Sequence, residues 1–158
     1  IQTETQTAMP FHQFYTPKGL YSDAEKAALA KDITALYAAP PISLPEFYVV
    51  VAFIELEQGN FFVGAETKRA DNMVRIQVEH VARTFPVGEA GVASKRDFMA
   101  RYEGTLKRYT AGRGVDWEIG IQDSDPQLWH LNGMAPPPPE SEQEKLWKKE
   151  NKAVPYVA

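Results

Sequence analysis

Cysteine is absent from this chain, and positive charge is in the minority. The 158 residues include no cysteine, 17 Lys and Arg, and 21 Asp and Glu, which gives a formal net charge of -4. Without thiols the chain has no disulfide, no thiolate nucleophile and no cysteine-ligated zinc. The acidic balance and the lack of a long basic run argue against a nucleic acid or an anionic membrane surface as partner.

Long hydrophobic runs are also missing. The longest, FYVVVAFI at residues 47–54, is too short to cross a bilayer and is rich in β-branched and aromatic residues, so it predicts a buried strand. A hydrophobic content of 44% over this length is enough for one globular domain. No secretory signal stands out, and we expect a soluble, cytoplasmic protein.

Sequence motifs for metals and nucleotides are missing as well. The three histidines, at positions 12, 80 and 130, have no metal-ligand spacing, and GEAGVASK at 88–95 lacks the ending of a phosphate-binding loop. No Ser-His-Asp signature is visible. We expect no metal and no cofactor.

The first nine residues differ from the rest. IQTETQTA has one large apolar side chain and no apolar period, so little offsets the cost of ordering it. We interpret residues 1–9 as an extension, either a vector remnant or a natural one. Directly after it comes a Met-Pro pair, Met9 and Pro10, that resembles a translation start.

Residues 10–66 predict a strand, a helix, a strand and a hairpin. FHQFYT has the residues of a strand, and Ser22 and Glu25 have capping-box spacing before a helix. FYVVVAFIELE predicts a long buried strand, and QGN before FFVG predicts a turn into a short returning arm. The apolar face of the helix consists of Leu29, Ile33, Leu36 and Tyr37.

Residues 72–122 repeat this order of strand, helix and strand, although the residue identities hardly match. MVRIQVEHVA alternates as a strand, Ser94 is the expected helix cap, and VDWEIGI is the closing strand. Two such units with right-handed crossovers predict an α+β fold, a four-stranded mixed sheet with two helices on one face. The second helix is expected to bury Phe98, Tyr102, Leu106 and Tyr109.

The rest of the chain is predicted to be a helical tail. DPQLWHLNG has Asp125 as N-cap, Pro126 at the first helical position and Gly133 as the stop of a short helix. Within residues 136–158 a polyproline spacer precedes a helix whose large apolar anchors are Leu146 and Trp147. That helix is expected to pack on the domain, which spans residues 10–135, or on a neighbouring subunit.

The Met-Pro start, the helix DAEKAALAKDIT, the strand FYVVVAF and the second β-α-β unit together resemble the tautomerase superfamily. The resemblance is closest to its fused, double-unit branch typified by cis-3-chloroacrylic acid dehalogenase, and NGMAPPPP is similar to that branch too. It implies a homotrimer and a catalytic proline at the mature amino terminus, which here would be Pro10. The alternative is that Pro10 simply begins a strand.

The resemblance also implies a cation for a substrate carboxylate. Arg83, just after the predicted strand, is the best match, and its planar fork suits both oxygens of a carboxylate. The branch has two arginines in this region, whereas this chain offers one clear match. An ordinary surface arginine is the alternative for Arg83, and Arg75 on the same strand is expected to be solvated or at an interface.

Three further residues are candidate substrate contacts. Tyr37 stands where the dehalogenases carry a substrate-binding histidine, although it also completes the apolar face of its helix. His80 shares a strand face with Val78, which also fits a core histidine. Asn132 lies in the window where the dehalogenases place a water-activating carboxylate; with no Asp or Glu in QLWHLNG, hydration and dehalogenation are disfavoured, and Asn132 also fits a helix-stopping turn.

Two functional hypotheses follow. The first is a tautomerase-like enzyme that uses Pro10 for proton transfer on a small 2-oxo or unsaturated carboxylic acid. The second is a non-catalytic binding or assembly protein on the same fold, in which Pro10 is not the mature amino terminus. The two differ in whether the nitrogen of Pro10 is a free amine, since an acylated nitrogen is not a base.

Overall fold

The computed structural model describes residues 10–81 and 83–157. The predicted extension, residues 1–9, lies outside the described residues. Within the described ranges the chain forms four strands and four α-helices, in the order β1 (Phe11–Pro17), α1 (Asp23–Ala38), β2 (Val50–Leu56), α2 (Thr67–Ala70), β3 (Met73–His80), α3 (Gly88–Leu106), β4 (Asp116–Asp123) and α4 (Glu142–Glu150).

The strands form one mixed sheet in the order β2-β1-β3-β4. The outer pairs, β1 with β2 and β3 with β4, are parallel, whereas β1 and β3 in the centre are antiparallel, with Phe11 opposite Glu79 and Phe14 opposite Ile76. Each parallel pair is bridged by a long helix, as a β-α-β crossover requires. The predicted α+β fold of two β-α-β units is therefore confirmed.

One face of the sheet carries the core. On β1 the side chains of His12, Phe14 and Thr16 are buried, and they alternate with less buried neighbours. The helices α1 and α3 supply the opposing apolar side chains, because residues three or four apart share a helix face. The buried helix residues are Leu29, Ile33 and Tyr37 in α1, and Phe98, Tyr102 and Leu106 in α3.

The start of α1 follows the predicted capping box. The Oγ of Ser22 accepts a hydrogen bond from the backbone N–H of Glu25 at 3.2 Å, and the Glu25 carboxylate accepts one from the Ser22 N–H at 2.8 Å. Both bonds satisfy donors that the first turn of a helix otherwise leaves unpaired.

The start of α3 differs from the prediction. The helix begins at Gly88, six residues before Ser94, and its N-cap Val87 has no side-chain bond to the first turn. Gly88 adopts a φ of +72°, which favours glycine, and a Cβ on Gly91 would lie 1.8 Å from the carbonyl oxygen of Pro86. Close packing of the backbone, and not a polar side-chain cap, therefore defines the start of this helix. The prediction that Ser94 caps the helix is wrong.

The connection after β2 is less regular than a hairpin. The expected returning arm FFVG takes the form of one isolated bridge, in which the backbones of Val63 and Glu66 exchange hydrogen bonds of 3.0 and 3.1 Å. This segment therefore closes on itself and adds no strand to the sheet.

The short helix predicted before Gly133 is a single 3-10 turn, Pro126–Leu128, that Asp125 caps through a 2.9 Å bond from the Gln127 N–H. The helix stops early because the chain reverses at Asn132 and Gly133, which have φ of 50° and 77°. The backbones of Leu131 and Met134 close this reversal with two 2.9 Å hydrogen bonds.

The last helix, α4, packs on its own domain. Ser141 caps it by accepting from the Glu144 N–H at 3.2 Å, and Trp147 is completely buried. The Trp147 ring lies 6.0 Å from that of Phe47, and its Nε1–H donates to the Val154 carbonyl at 2.7 Å. Among the described residues no helix is both long and apolar enough to span a membrane.

Candidate active site

Pro10 is buried at the start of the central strand β1. Its carbonyl accepts a hydrogen bond of 3.1 Å from the Val50 N–H, which anchors it to β2. On the other side β1 runs antiparallel to β3, and the register that pairs Phe11 with Glu79, continued by one residue, sets Pro10 beside His80. The sheet therefore brings two of the candidate residues to one place.

An aromatic cluster extends from this point towards the helices. The Tyr37 ring lies 5.2 Å from that of His12, 6.0 Å from that of His80 and 5.8 Å from that of Phe98. The rings of His80 and Phe98 stack at 5.1 Å. Tyr37 and His80 therefore do lie together, in an apolar environment that penalises charge.

Several polar atoms of this cluster are buried without a partner among the described residues. They are the hydroxyl of Tyr37, the Nδ1 of His80 and the Nε2 of His12, whereas the Nδ1 of His12 lies 2.8 Å from the Tyr102 hydroxyl. Burial raises the pKa of Tyr37 and lowers that of His80. Burial, aided by the neighbouring His80, lowers the pKa of His12 to about 3, so both histidines are neutral near pH 7.

Arg83 follows β3 by three residues and is tied to the C-terminal helix. Its Nη2 donates to Oε1 of Glu144 at 3.1 Å, and its Nη1 lies 3.5 Å from Oε2. Glu144 is only 3% exposed and also accepts from the Glu140 N–H at 2.9 Å. The Tyr48 hydroxyl, whose pKa is raised by burial and by the charge of Glu144, lies in the same region. The ion pair thus joins the end of the sheet to the tail.

A cavity of about 400 Å³ opens between the end of β3 and α3. It brings His80 and Arg83 together on one wall, and it is lined by Pro41, Ile42, His80, Arg83, Thr84, Phe85, Pro86, Ser94, Asp97, Phe98 and Arg101. Arg101 donates to Asp97 at 3.0 Å within α3. A cavity of this size, with an apolar aromatic wall and a few cations, suits a small organic acid.

A second cavity of about 290 Å³ adjoins the first, because Phe85 and Phe98 line both. Its other lining residues are Lys95, Met99, Ile121 and Asp123. Lys95 carries its ammonium 6.0 Å from the centre of the Phe85 ring. Both cavities lie against α3, which supplies lining residues to each, and together they are termed the cleft.

Asn132 is placed apart from these residues. It is exposed in the tight reversal between Leu131 and Met134, and it lines neither cavity of the cleft. Its left-handed φ of 50° fits the turn-forming role that the sequence also allowed. Arg75 lies on the other face of the sheet, where it pairs with Glu118.

Sequence reasoning missed several residues of the site. Glu144 has capping-box spacing after Ser141, but its carboxylate bonds Arg83 rather than the Ser141 N–H. Asp97 and Arg101 were not among the candidates, since two opposite charges four apart on a helix are common at exposed positions. The available signal was the spacing of Asp97 and Arg101 around Phe98, which puts all three near one helix face. Across residues 10–81 and 83–157, no group of three potential metal ligands is found.

Comparison with known proteins agrees with the geometry. The family model described as "Putative oxalocrotonate tautomerase enzyme" matches residues 9–152. The chain belongs to this tautomerase family.

Solved structures extend the comparison. Native RhCC from Rhodococcus jostii RHA1 is 37% identical over 92% of this chain and 99% of its own, with a TM-score of 0.83. A probable enzyme from the thermophilic fungus Aspergillus fumigatus is 34% identical over 94% and 99%, with a TM-score of 0.83. The protein N1 of the cis-3-chloroacrylic acid dehalogenase family shares the fold at 17% identity, over 89% and 97%, with a TM-score of 0.63. No curated protein matches the chain.

Proposed function

We propose that this protein is a proton-transfer enzyme that uses the amine of Pro10 on a small 2-oxo or unsaturated carboxylic acid. The observation that carries this proposal is the buried position of Pro10 directly before β1, whose register with β3, continued by one residue, leads to His80, and His80 shares a cavity with Arg83. Pro10 and Tyr37 line neither cavity, so a ligand held by Arg83 would have to extend past His80 to reach the Pro10 nitrogen.

The chemistry requires Pro10 to be the first residue of the active chain. A free α-amine titrates at about pH 8. Burial disfavours the ammonium form, which favours the neutral amine that a base requires. Residues 1–9 therefore have to be removed before the enzyme works, since an amide nitrogen accepts no proton.

The reaction is a shift of one proton. The Pro10 nitrogen takes a proton from the carbon beside the substrate carbonyl, the C–H electron pair becomes a C=C bond, and the carbonyl oxygen becomes an enolate. Arg83 holds the carboxylate, and the Tyr37 hydroxyl donates a hydrogen bond to the developing oxyanion. The Pro10 ammonium then returns its proton to that oxygen, which gives the enol. His80 stays neutral and forms the wall.

Assembly is the second part of the proposal. Fused 4-OT proteins that share the fold, at 19% and 24% identity with TM-scores of 0.60 and 0.58, are described as asymmetric trimers. We infer a homotrimer for this chain as well. Asn132, exposed on its turn, would contact substrate in such an assembly only at the site of a neighbouring subunit. A cytoplasmic location and the lack of a cofactor remain predictions.

The test is phenylpyruvate tautomerisation by three chains: one that begins at Pro10, the same chain with Pro10→Ala, and one that keeps residues 1–9. We expect the first to be faster than either of the others by roughly 100-fold or more, the range of a lost general base. Equal rates for all three would favour the non-catalytic binding or assembly protein instead. Sedimentation of the Pro10 chain tests the trimer, which a monomer at micromolar concentration would contradict.

A further inference from the structure

Charged side chains around the cleft are balanced in number. Five of them line the two cavities, and a sixth, Glu144, pairs with the lining Arg83. Burial keeps the nearby His80 neutral by lowering its pKa. Among the described residues the cations are Arg83, Lys95 and Arg101, and the carboxylates are Asp97, Asp123 and Glu144. The cleft has cations to hold an anion but no net positive charge.

Glu144 supports Arg83 from outside the cavity. Arg83 lines the cavity of about 400 Å³, whereas Glu144 does not and is 3% exposed. The Glu144 carboxylate is fixed by the Arg83 guanidinium at 3.1 Å and by the Glu140 N–H at 2.9 Å. A ligand carboxylate that binds Arg83 from the cavity therefore shares the guanidinium with the Glu144 carboxylate, which is already paired with it.

The other arginine of the cavity also pairs with a carboxylate, at a more exposed position than Arg83 and Glu144. Arg101 and Asp97 both line the cavity, and the Nε and Nη2 of Arg101 each lie 3.0 Å from Oδ2 of Asp97. Asp123 adds a carboxylate to the adjoining cavity, where Lys95 is the cation. Apart from Arg83, each cation that lines the cleft is accompanied by a carboxylate that lines the same cavity, Asp97 with Arg101 and Asp123 with Lys95.

The remaining wall is aromatic. Phe85 and Phe98 line both cavities, and the Phe98 ring stacks on His80 at 5.1 Å. Such rings favour the planar, apolar body of a ligand over a hydrated charged group, because burying an unpaired charge here is costly.

We infer that the site accepts acids with a single carboxylate and a planar apolar body, and that Glu144 is the residue that excludes dicarboxylates. This inference rests on the role of Arg83 in the proposed function. It assigns to the C-terminal helix a part in substrate choice, since Glu144 lies on α4. Repulsion between Glu144 and a second ligand carboxylate is the physical cause.

The test compares benzoate with terephthalate, which has the same ring and one more carboxylate. Calorimetric titration at fixed ionic strength is applied to the wild type, to Glu144→Gln and to the control Glu142→Gln, which removes an exposed carboxylate from the same helix. We expect the wild type to bind benzoate ~10-fold more tightly than terephthalate. In Glu144→Gln this ratio of the two affinities should fall by a similar factor. Glu142→Gln should match the wild type.

Asp97→Asn is the second variant, because loss of the buried Glu144 charge could unfold the chain. It should also narrow the ratio. The inference is overturned if the wild type prefers terephthalate or binds no benzoate, if a folded Glu144→Gln leaves the ratio of the two affinities unchanged, or, where Glu144→Gln does not fold, if Asp97→Asn leaves it unchanged. These outcomes are separate from the failure of the proposed function, which appears as Pro10-independent tautomerisation whatever the two acids do.

Discussion

The two β-α-β units begin in the same way but carry different chemistry. Pro10 precedes β1, and its carbonyl accepts from the Val50 N–H at 3.1 Å; Asn72 precedes β3, and its carbonyl accepts from the Asp116 N–H at 2.8 Å. Asn72 is thus the counterpart of Pro10, but its side chain donates to the Gly114 carbonyl at 2.8 Å. The same backbone position can serve as a candidate base in one unit and as a structural tie in the other.

The units also divide the site between them. The first contributes the candidates Pro10 and Tyr37, which line neither cavity, while most of the cavity wall comes from α3 and the segment before it in the second. The start of this second helix depends on glycine and backbone packing, whereas α1 starts with a side-chain cap. Repetition of fold therefore left room for specialisation.

The largest expected effect separates the two starting residues. In the chain that begins at Pro10, Pro10→Ala should lower the tautomerisation rate by roughly 100-fold or more. Asn72→Ala removes only the bond to the Gly114 carbonyl and should keep kcat within about twofold, at a stability loss of about 1 kcal/mol. Steady-state kinetics measure the rates, and urea unfolding measures the stabilities. Similar rate losses in the two variants would mean that the units are not chemically distinct.

The next effect concerns two glycines of α3. Gly91→Ala places a methyl group 1.8 Å from the Pro86 carbonyl oxygen, whereas the matched change Gly104→Ala meets nothing within 4 Å. We expect Gly91→Ala to destabilise the fold by roughly 3 kcal/mol, since backbone has to move, and Gly104→Ala to stabilise it by up to about 1 kcal/mol. Denaturant midpoints test this pair, and a harmless Gly91→Ala would show that the helix start can shift.

The third prediction concerns His12, the second residue of β1, whose counterpart in β3 is the apolar Val74. The pKa of buried His12 lies at about 3, below its value in the unfolded chain, so protonation favours unfolding. The stability that neutral His12 provides is fully present above about pH 6.5 and is lost as the pH falls towards about 3. Over that range the free energy of unfolding falls by up to about 1.4 kcal/mol per pH unit.

The double variant His12→Val with Tyr102→Phe removes the histidine and also the tyrosine hydroxyl that would otherwise lose its hydrogen-bond partner. Its unfolding free energy should depend less steeply on pH, by up to about 1.4 kcal/mol per pH unit. Chemical unfolding at pH 4, 5 and 6 measures it. His130→Gln, at an exposed position, is the control and should leave the slope as it is. An unchanged slope in the double variant would exclude His12 as the source.

The smallest expected effect compares the helix starts. Ser22→Ala removes the side-chain cap of α1 and should cost about 1 kcal/mol. Val87→Ala, at the uncapped start of α3, should change stability by less than about 0.5 kcal/mol, since Val87 is 94% exposed. Thermal unfolding of both variants decides this, and equal losses would mean that the Val87 side chain makes an apolar contact that stabilises the start of α3 as much as the Ser22 cap stabilises α1.

Much of the fold could be predicted because its signals are local. The capping box at Ser22, the alternation on β1 and β3 and the apolar face of α1 each depend on residues a few positions apart, and each was found as expected. The start of α3 was missed because Gly88 and Gly91 act through contact with a backbone that no sequence pattern displays.

The sequence by itself determined the order of the strands and helices, the composition of the core and the resemblance carried by the proline start. Only the tertiary structure decided which charges meet. Arg83 and Glu144 are 61 residues apart along the chain and form one ion pair, and Pro10 comes beside His80 only through the register of β1 and β3. Periodicity fixes the face on which a residue lies, whereas its partner across a cavity depends on how distant segments pack.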